Sequence, residues 1–390
     1  MGVYIKKVFQ VIYGTRRYRM RIFGPNELLE DVVKKDLCIG CGACIYLCPY
    51  FRSYMGKTAM LFPCTLTEGR CWAYCPKTEV DLDDLSKRFF DRPYDGDPLG
   101  FHGSVKISRA GSKFGTGSFQ AGGTVSALMS FALNKGYIDA AVLTDRDGIL
   151  PVPRLVTDPD DVLRCSCSKY TASPTLSALN QAIKEGYNHI GVVATPCQGL
   201  AIAKMRSNPT RIDDFTDPVG LVVGLFCTWA LDFRAFDAFI SERIDVDKIT
   251  KVNIPPPPAE IMEIYTTDGK QEIPLDEIRK LVPDTCSYCI DMTSEFSDIS
   301  VGVLEGRPDM NTIIVRTKRG QDIVDEAEKE GFLVLDDIPE ENLEHLMWAA
   351  NNKKKRALIK AEEDGLINTN QEDKRSYLRL NPEALKNIVA

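Results

Sequence analysis

Runs of consecutive apolar residues alternate with amphipathic stretches through the middle of the chain. The segments IGVVA (190–194) and LVVGLF (221–226) are rich in β-branched residues, a pattern that indicates strands buried on both faces. A further strand is predicted at IDAAVLT (138–144). With helices between them, these strands predict an α/β fold in which helices flank a mixed sheet.

The amphipathic stretches predict helices and one hairpin. The helices are expected at 27–36, 124–135, 174–185 and 232–244, and the hairpin at 260–275. Asn26, which follows a proline, is the expected cap of the first helix. Gly136 and Gly186 are expected to end the second and third helices. The hairpin is expected to reverse at Asp268-Gly269.

Four cysteines that are far apart in sequence lie close to predicted strands. Cys197 and Cys227 follow two of the apolar runs, and Cys286-x-x-Cys289 precedes another. Because open α/β sheets bind ligands at the carboxyl ends of their strands, we expect these thiols at one edge of the sheet. Four thiolates can hold one metal ion or one iron–sulfur cluster. The alternative from this pattern is a set of buried, unreactive thiols.

The most specific motif is Cys38-x-x-Cys41-x-x-Cys44-x-x-x-Cys48-Pro49, the spacing of bacterial ferredoxins. In this arrangement three thiolates of one tight loop hold one cluster, while the fourth turns toward another. The motif predicts an N-terminal ferredoxin-like α+β module.

The second half of this module, Cys64-x6-Cys71-x3-Cys75-Pro76, is one cysteine short of a full repeat. The crossed pairing of two-cluster ferredoxins assigns one 4Fe–4S cluster to Cys38, Cys41, Cys44 and Cys75. The thiols that remain are those of Cys48, Cys64 and Cys71. They predict a second cluster, either 3Fe–4S or a 4Fe–4S cluster completed by Glu68, water or a partner. The absence of a second cluster is the other alternative.

A glycine-rich loop, GSKFGTGSFQAGG (111–123), leads into the helix predicted at 124–135. Backbone amides at a helix N-terminus favour an anion, and a flavin pyrophosphate or ribityl chain is the expected ligand. A plain turn is the alternative, because the loop lacks the third glycine of a dinucleotide fingerprint and the Gly-Lys-Ser/Thr end of a P-loop. The candidate contacts are Gln120, Gly122, Gly123 and Thr124.

Composition narrows the function further. The 390-residue chain carries 13 cysteines and no recognisable signal peptide, so metal ligands are expected rather than disulfides, and a cytoplasmic location is expected. A net charge of −7 does not suggest nucleic acid as a partner. The longest apolar stretch, 219–231, is too short for a transmembrane segment. With only three histidines and no Ser-His-Asp set, the chemistry is expected to come from cofactors.

Several blocks, in one order, resemble the beta subunits of coenzyme F420-reducing hydrogenases and dehydrogenases. They are GGTVSALMSFALNKGYIDAAVLT, SKYTASPTLSALNQAIKEGY, VVATPCQGLAIAKM, VGLFC, CSYC, FSDISVG and IIVRTKRG. The resemblance implies a bound flavin, here expected to be FAD, and one 4Fe–4S cluster. By position, the ligands of that cluster would be Cys197, Cys227, Cys286 and Cys289.

The resemblance also implies flavin contacts around the Ser-Lys-Tyr block and the strand ends. The candidates are Ser168, Lys169, Tyr170, Ser173, Thr195 and Gln198. Lys169 would offset charge on a reduced flavin or on the pyrophosphate, and an exposed lysine is the alternative. Asp298 and Ser300 either fix the C-x-x-C loop or form an ordinary turn and strand start. Cys165 and Cys167 fall outside the family pattern and are expected to be structural thiols.

The function that the resemblance implies is that of an electron-transfer oxidoreductase subunit. Electrons would pass between a hydride carrier, with F420 expected, and a partner such as formate dehydrogenase, hydrogenase or heterodisulfide reductase, through the flavin and the clusters. NAD(P)H or ferredoxin is the alternative carrier. The alternative functions are a flavin-free iron–sulfur relay, a stand-alone reductase and a structural zinc protein.

The chain divides into five predicted parts. They are a basic N-terminal arm (1–30), a ferredoxin-like iron–sulfur domain (31–80), a linker (81–103), a flavin- and cluster-binding domain (104–338) and a polar helical tail (339–390). The arm either docks on an acidic partner or is an edge strand protected by its charge. The basic run at 353–356 is expected to be solvated or to face a partner.

Overall fold

The computed structural model describes residues 20–256, 258–369 and 375–389. Most of the predicted basic arm, residues 1–19, lies outside the described residues. The helices are α1 Pro25–Leu28, α2 Arg70–Ala73, α3 Leu82–Phe90, α4 Thr124–Asn134, α5 Thr175–Glu185, α6 Pro196–Arg206, α7 Phe233–Ser241, α8 Leu275–Arg279, α9 Lys318–Lys329, α10 Glu340–Glu363 and α11 Pro382–Val389. Within the described ranges, no helix has the length and apolar character needed to cross a membrane.

An eight-stranded mixed sheet forms the centre of the described chain. The strands of the protein are β1 Phe51–Tyr54, β2 Lys57–Met60, β3 Val80–Asp81, β4 Ser104–Ala110, β5 Ala140–Asp147, β6 Leu150–Val156, β7 Ile190–Ala194, β8 Val219–Leu225, β9 Ile249–Asn253, β10 Ile261–Thr266, β11 Gly269–Pro274, β12 Ile299–Leu304, β13 Arg307–Val315, β14 Leu333–Asp337, β15 Ile367–Asn368 and β16 Leu378–Arg379. The central sheet has the order β14-β4-β13-β12-β8-β7-β5-β6. Strands β5, β7, β8 and β12 run parallel, and the outer strands pair antiparallel. The predicted α/β fold with a mixed sheet is confirmed.

The central strands are buried on both faces, as their apolar runs predicted. Val223 of β8 belongs to a core cluster with Leu128 and Phe131 of α4. Its neighbour Val222 belongs to a different cluster, with Leu179 of α5. All five side chains are almost completely buried. Each such side chain stabilises the fold by roughly 1.5–3 kcal/mol relative to exposure.

A second, smaller sheet packs beside the central one. Strands β9, β10 and β11 form an antiparallel sheet, and the predicted hairpin is the β10–β11 pair, in which Thr266 pairs with Gly269. Phe236 and Ile240 of α7 share a core with Met262 of β10. This sheet supplies one wall of the cavity described below.

The N-terminal module surrounds Trp72, whose side chain is fully buried. The β1–β2 hairpin, α1 and α2 contribute to its core, which confirms the predicted ferredoxin-like α+β module. Helix α1 continues into a single π-helical turn, Leu29–Val33. The prediction that Asn26 caps this helix is wrong. Pro25 occupies the first helical position, and the Gly24 N–H donates to Glu27 Oε2 at 3.0 Å.

The C-terminal residues fold back on the segment that follows the N-terminal module. Strand β16 pairs in parallel with both β15 and β3. Leu82 and Leu85 of α3 share a core with Leu358 of α10 and Ile388 of α11. The predicted linker at 81–103 therefore contains a packed helix, and the division into domains stays a prediction.

Two lysines of the basic run at 353–356 are buried, Lys353 at 7% and Lys354 at 0% exposure. Lys354 makes an ion pair with Glu295 at 2.9 Å and donates to Tyr94 Oη at 3.0 Å. The prediction that this run is solvated or faces a partner is wrong for these two residues, because one face of α10 packs inward.

Candidate redox site

A cavity of about 730 Å³ lies at the carboxyl ends of the central parallel strands. Thr144 of β5, Val193 of β7 and Leu225 of β8 form its floor. The ferredoxin loop, the 165–173 segment, the end of β9 and the turn that carries the C-x-x-C motif complete its walls. This is the edge at which open α/β sheets hold ligands.

The four strand-end cysteines line this cavity together. Cys197 is the second residue of α6, and the start of that helix is fixed by Thr195. The Thr195 N–H donates to Gln198 Oε1 at 3.0 Å, and the Thr195 hydroxyl lies 3.3 Å from Cys197 Sγ. Cys227 lies two residues beyond β8, and its N–H donates to the Met292 carbonyl at 2.8 Å. Helix capping and the strand end therefore aim both thiols at one edge.

Cys286 lies in the 3₁₀ helix Asp284–Tyr288, and Cys289 is the residue that directly follows it. Their thiols donate to backbone carbonyls at 3.8 Å and 3.3 Å. The turn is anchored to the N-terminal module by Thr285, whose buried hydroxyl donates to the Leu37 carbonyl at 2.7 Å. The C-x-x-C motif is thus held between the central sheet and the ferredoxin-like module.

The thiols of Cys197 and Cys227 lie in the electrostatic field of the other thiols of this group. Burial, with the nearby thiolates of Cys289 and Cys286, raises the pKa of the Cys197 thiol to about 11. Burial also raises the pKa of the Cys227 thiol, and the other three thiolates add to the effect. Grouped thiolates repel one another, and a bound cationic centre offsets that repulsion. Thiolates are the ligands that iron–sulfur clusters require, so the donor set fits such a cluster.

A second group contains the thiols that crossed pairing assigns to one cluster, Cys38, Cys41, Cys44 and Cys75. Burial raises the pKa of the Cys41 thiol well above its usual range, and the Cys75 and Cys44 thiolates add to this. Burial likewise raises the pKa of Cys44, with the Cys75 and Cys38 thiolates contributing. The structure brings these four residues together, and their role as ligands stays a prediction.

A third group contains Cys48, Cys64 and Cys71. Burial raises the pKa of the Cys71 thiol to about 11, and the Cys48 and Cys64 thiolates raise it further. Glu68, the candidate fourth ligand, is exposed. Whether it completes a cluster stays a prediction.

The three groups form a series. The Cys197 thiolate contributes to the raised pKa of Cys41, and the Cys71 thiolate to that of Cys44. The second group therefore adjoins both of the others. In the part of the chain that the structure describes, no three His, Cys, Asp or Glu side chains are placed to hold a single metal ion. A cluster spaces its thiolates more widely, since each binds a different iron atom.

The ferredoxin loop docks directly on the N-terminal end of α5. Asn180 donates from Nδ2 to the carbonyls of Ala43 (3.0 Å) and Ile45 (2.8 Å). Gly42 has a φ of +86°, and a Cβ there would lie 2.5 Å from the Pro174 carbonyl oxygen. Only glycine fits this approach, so the loop is held in one position against the main sheet.

Of the four candidate contacts in and after the glycine-rich loop, only Gln120 lines the cavity. Its Nε2 donates to Tyr170 Oη at 3.2 Å and to Asn253 Oδ1, and its Oε1 accepts from the Ser168 N–H at 3.1 Å. These bonds fix the side-chain amide between the 165–173 segment and β9.

Gly122, Gly123 and Thr124 do not line this cavity. The Thr124 hydroxyl lies 2.8 Å from Ser108 Oγ, and its N–H donates to Asn311 Oδ1 at 3.3 Å. Gly123 has a φ of +81°, a conformation that favours glycine. In this structure these residues build the turn that starts α4, and flavin contact stays a prediction for them.

The Ser-Lys-Tyr block forms part of the cavity wall. Lys169 Nζ donates to three consecutive carbonyls, those of Cys165, Ser166 and Cys167, at 2.8–2.9 Å. Burial lowers the pKa of this lysine. The alternative in which Lys169 is exposed is wrong, because it holds the loop together from inside. Cys165 and Cys167 also line the cavity, and burial raises the pKa of Cys165 to about 11.

The remaining candidates divide into paired and unpaired groups. Gln198 Nε2 donates to the Ser173 carbonyl at 2.9 Å, so both ends of this amide are used. Thr171 Oγ1 and Ser173 Oγ are buried and have no hydrogen-bond partner in the described residues, yet both residues line the cavity. Buried hydroxyls are rarely left unpaired, so these two, which lie within the cavity wall, need a polar partner that the described residues do not supply.

Sequence reasoning missed several residues of the site. Thr171 directly follows the Ser-Lys-Tyr block, and extending that block by one residue would have included it. Lys77 follows Cys75-Pro76 and also lines the cavity, as does Asn253 at the end of β9. Lys353 gave no local signal, since a charge run is usually solvated.

Family models match most of the segments described above. For the beta subunits of coenzyme F420 hydrogenase/dehydrogenase, the model of the N-terminal part matches residues 109–180, and that of the C-terminal part matches residues 187–341. A 4Fe–4S binding domain matches residues 31–50. The first two contain the 165–173 segment and all four strand-end cysteines.

Curated relatives agree with these matches. The chain is 30% identical over 333 residues to one of the subunits of the F(420)H(2) dehydrogenase of Methanosarcina mazei, covering 80% of this chain and 88% of the relative. It is 28% identical to the "Coenzyme F420-dependent sulfite reductase" of Methanocaldococcus jannaschii, over 78% of this chain and 48% of the relative. It is 30% identical to the "Coenzyme F420 hydrogenase subunit beta" of Methanothermobacter thermautotrophicus, over 57% of this chain and 80% of the relative.

A solved structure has the same fold. One chain in a structure of the F420-reducing NiFe hydrogenase complex from Methanosarcina barkeri superposes with a TM-score of 0.62 at 26% identity, covering 68% of this chain and 93% of that one. The resemblance inferred from the sequence blocks is confirmed by these matches. The protein belongs to the family of coenzyme F420 hydrogenase/dehydrogenase beta subunits, as an oxidoreductase component with an electron-transfer role and an iron–sulfur-binding domain.

Proposed function

We propose that this chain passes electrons between coenzyme F420 and a partner redox subunit, through bound FAD and three iron–sulfur clusters. One observation carries the proposal. A single cavity is lined by Thr171 and Ser173 on one wall and by four grouped thiols on another. A ligand seated against the hydroxyls would adjoin a cluster held by the thiols, with no protein layer between them.

The cavity suits a flavin in size and chemistry. Its volume of about 730 Å³ lies within the usual range of ligand pockets. Val125, Met129 and Leu143 supply apolar surface, while the Thr171 and Ser173 hydroxyls face no protein partner in the described chain. We assign the cavity to FAD, and we assign the two hydroxyls to its polar atoms.

The three thiol groups suit clusters. We assign one 4Fe–4S cluster to Cys197, Cys227, Cys286 and Cys289. We assign another to Cys38, Cys41, Cys44 and Cys75. A third, either 3Fe–4S or 4Fe–4S, belongs to Cys48, Cys64 and Cys71. The order of the groups, inferred from the mutual effects on their pKa values, gives a path from the cavity outward.

The chain's own residues prepare this path. When bound, a flavin exchanges two electrons as a hydride and passes them on singly to clusters that each carry one. The Lys169 ammonium sets a positive charge in the cavity wall, and its three carbonyl bonds keep the loop closed around the ligand. The docked ferredoxin loop forms part of the cavity wall beside the inner thiols.

The outermost thiol group lies in the part of the chain that is suited to meet a partner. Large apolar side chains are exposed along this segment, namely Tyr46, Tyr54, Met55, Leu61, Phe62 and Leu66. Cys48 and Cys64 lie in the same stretch of sequence. Clusters of exposed apolar residues mark interaction surfaces, so we propose that the partner redox subunit docks here. By family resemblance that subunit is a formate dehydrogenase, a hydrogenase or a heterodisulfide reductase.

The experiment is anaerobic bleaching of the flavin in the fully metallated protein. Reduced F420, NADH, NADPH and reduced ferredoxin are offered separately, and flavin absorbance is followed by stopped flow. Rapid bleaching by reduced F420 alone is expected. Bleaching only by NAD(P)H would reassign the carrier, whereas purification with iron but without flavin would identify a flavin-free relay.

The hydroxyl assignment has its own variants. Thr171→Val with Ser173→Ala removes both unpaired groups, and we expect flavin affinity to fall at least tenfold while iron content is retained. Thr267→Val, at the exposed hairpin turn, is the matched control. Unchanged flavin affinity in the double variant would contradict the proposed seat of the flavin.

A further inference from the structure

Two buried ammonium groups flank the Cys197, Cys227, Cys286 and Cys289 site. Lys353 Nζ donates to the carbonyls of Cys227 (2.6 Å) and Asp291 (2.8 Å). Lys77 Nζ donates to the Thr285 carbonyl at 3.0 Å and to Tyr377 Oη at 3.3 Å. Both lysines line the cavity and both are at most 7% exposed.

Among the residues that the structure describes, no carboxylate lies within 4.0 Å of either ammonium, so neither forms an ion pair with one. All four acceptors above are neutral groups. An isolated buried charge costs several kcal/mol, and a lysine in that position ordinarily loses its proton. The four cysteine thiols of the site line the same cavity as both lysines, and when ionised they supply the negative charge that these ammonium groups lack.

The charges balance when a cluster is present. The four thiolates and the 2+ core of an oxidised 4Fe–4S cluster sum to two negative charges. The two lysines supply two positive charges. A reduced cluster carries one more negative charge, so fixed cations beside it favour the reduced form.

We propose that Lys77 and Lys353 act as positioning residues that raise the reduction potential of the cluster held by Cys197, Cys227, Cys286 and Cys289. This inference rests on the proposed function, since it requires the cluster at those cysteines. It makes this cluster the preferred acceptor of electrons that leave the cavity. It also gives helix α10 a role, because that helix carries Lys353. Both lysines lie outside the segments that the family models match, since Lys353 follows the match at 187–341 and Lys77 follows the ferredoxin match at 31–50.

The test is a redox titration of the whole, metallated protein, followed by electron paramagnetic resonance. The relevant signal is the one that Cys227→Ser removes. Lys353→Gln keeps N–H donors for the two carbonyls but removes the charge. We expect the midpoint potential of the cluster in this variant to fall by at least about 59 mV. For a one-electron couple, that shift corresponds to a tenfold weaker affinity for the electron. Lys77→Met should shift it in the same direction, and the double variant further.

Arg356→Met is the control, because this exposed residue belongs to the same basic run. It should leave the potential unchanged, and Lys353→Arg should stay near the wild type. An unchanged midpoint in Lys353→Gln with full iron content would overturn the inference. Loss of the cluster in both Lys353→Gln and Lys353→Arg would also overturn the inference. Lys353→Arg keeps the positive charge, so that result would show that charge is not what the site requires. If the wild type has no signal that Cys227→Ser removes, the proposed cluster itself is wrong, which is a separate failure.

Discussion

Replacing Asn180 with alanine tests whether the ferredoxin loop is held on α5 by two specific hydrogen bonds. Asn180 is 7% exposed, and its amide spans the Ala43 and Ile45 carbonyls at 3.0 and 2.8 Å. Each buried hydrogen bond contributes about 1 kcal/mol net, so the pair contributes about 2 kcal/mol to docking of the loop. This corresponds to a factor of about thirty in the population of the undocked state.

The assay is the rate at which anaerobic protein loses cluster absorbance and iron in a fixed concentration of urea. We expect Asn180→Ala to lose the cluster of Cys38, Cys41, Cys44 and Cys75 about thirtyfold faster, because undocking exposes that loop. Flavin reduced by the carrier should also pass electrons outward more slowly.

Gln181→Ala is the matched control, because the side chain of Gln181 is exposed and bonds only to Glu185 of the same helix at 2.8 Å. Its loss of iron should match the wild type. If Asn180→Ala loses iron within twofold of the wild-type rate, the docking argument is wrong. The ferredoxin loop would then be held by its other contacts, among them the bond from the Leu176 N–H to the Cys41 carbonyl at 3.1 Å.

Three further outcomes follow from the structure. Glu68→Cys should convert the outer site into a conventional 4Fe–4S centre, and an unchanged iron count and cluster spectrum would exclude Glu68 as the missing position. Phe62→Ser should weaken binding of the partner subunit at least tenfold with little effect on folding, as measured by calorimetry. The control is Val334→Ser, since Val334 is another exposed apolar residue, and equal affinities of the two variants would refute the docking surface. Burial raises the pKa of Glu295 from 4.5 to about 7, against the opposing charge of Lys354. The stability that this protonated carboxyl contributes, about 3 kcal/mol, is present below pH about 4.5 and is lost as the pH rises through about 7. Glu295→Gln should flatten the pH dependence of unfolding across that window, and parallel curves for wild type and variant would contradict the raised pKa.

The N-terminal module is tied to the main sheet by polar contacts. Thr285 and Asn180, both from the main sheet's side, bond to carbonyls of the ferredoxin-like module. Because buried hydrogen bonds require a particular direction, these bonds fix the distance between the module and the sheet as well as their contact. Electron transfer between neighbouring clusters depends on such fixed separations.

The sequence predicted features whose causes are local. The spacing of Cys38 to Cys48 requires a tight loop, and the β-branched run at 190–194 favours a buried strand wherever it lies in the fold. The glycine stop at Gly186 depends on a left-handed residue, which the structure has at a φ of +97°. Each signal acts within a few residues, so it is visible without knowledge of the rest of the chain.

Only the tertiary structure decided which side chains reach the site. Lys353 lies in a basic run that looks solvated, and it is buried because the packing of α10 on the α3 and α11 core turns that face inward. Thr124 has the sequence context of a flavin contact, yet its hydroxyl is bonded to Ser108 behind the turn. Helix rotation and loop direction result from the sum of many long-range contacts. No short stretch of sequence contains that sum, whereas the close spacing of Cys38, Cys41, Cys44 and Cys48 predicts cluster ligands without it.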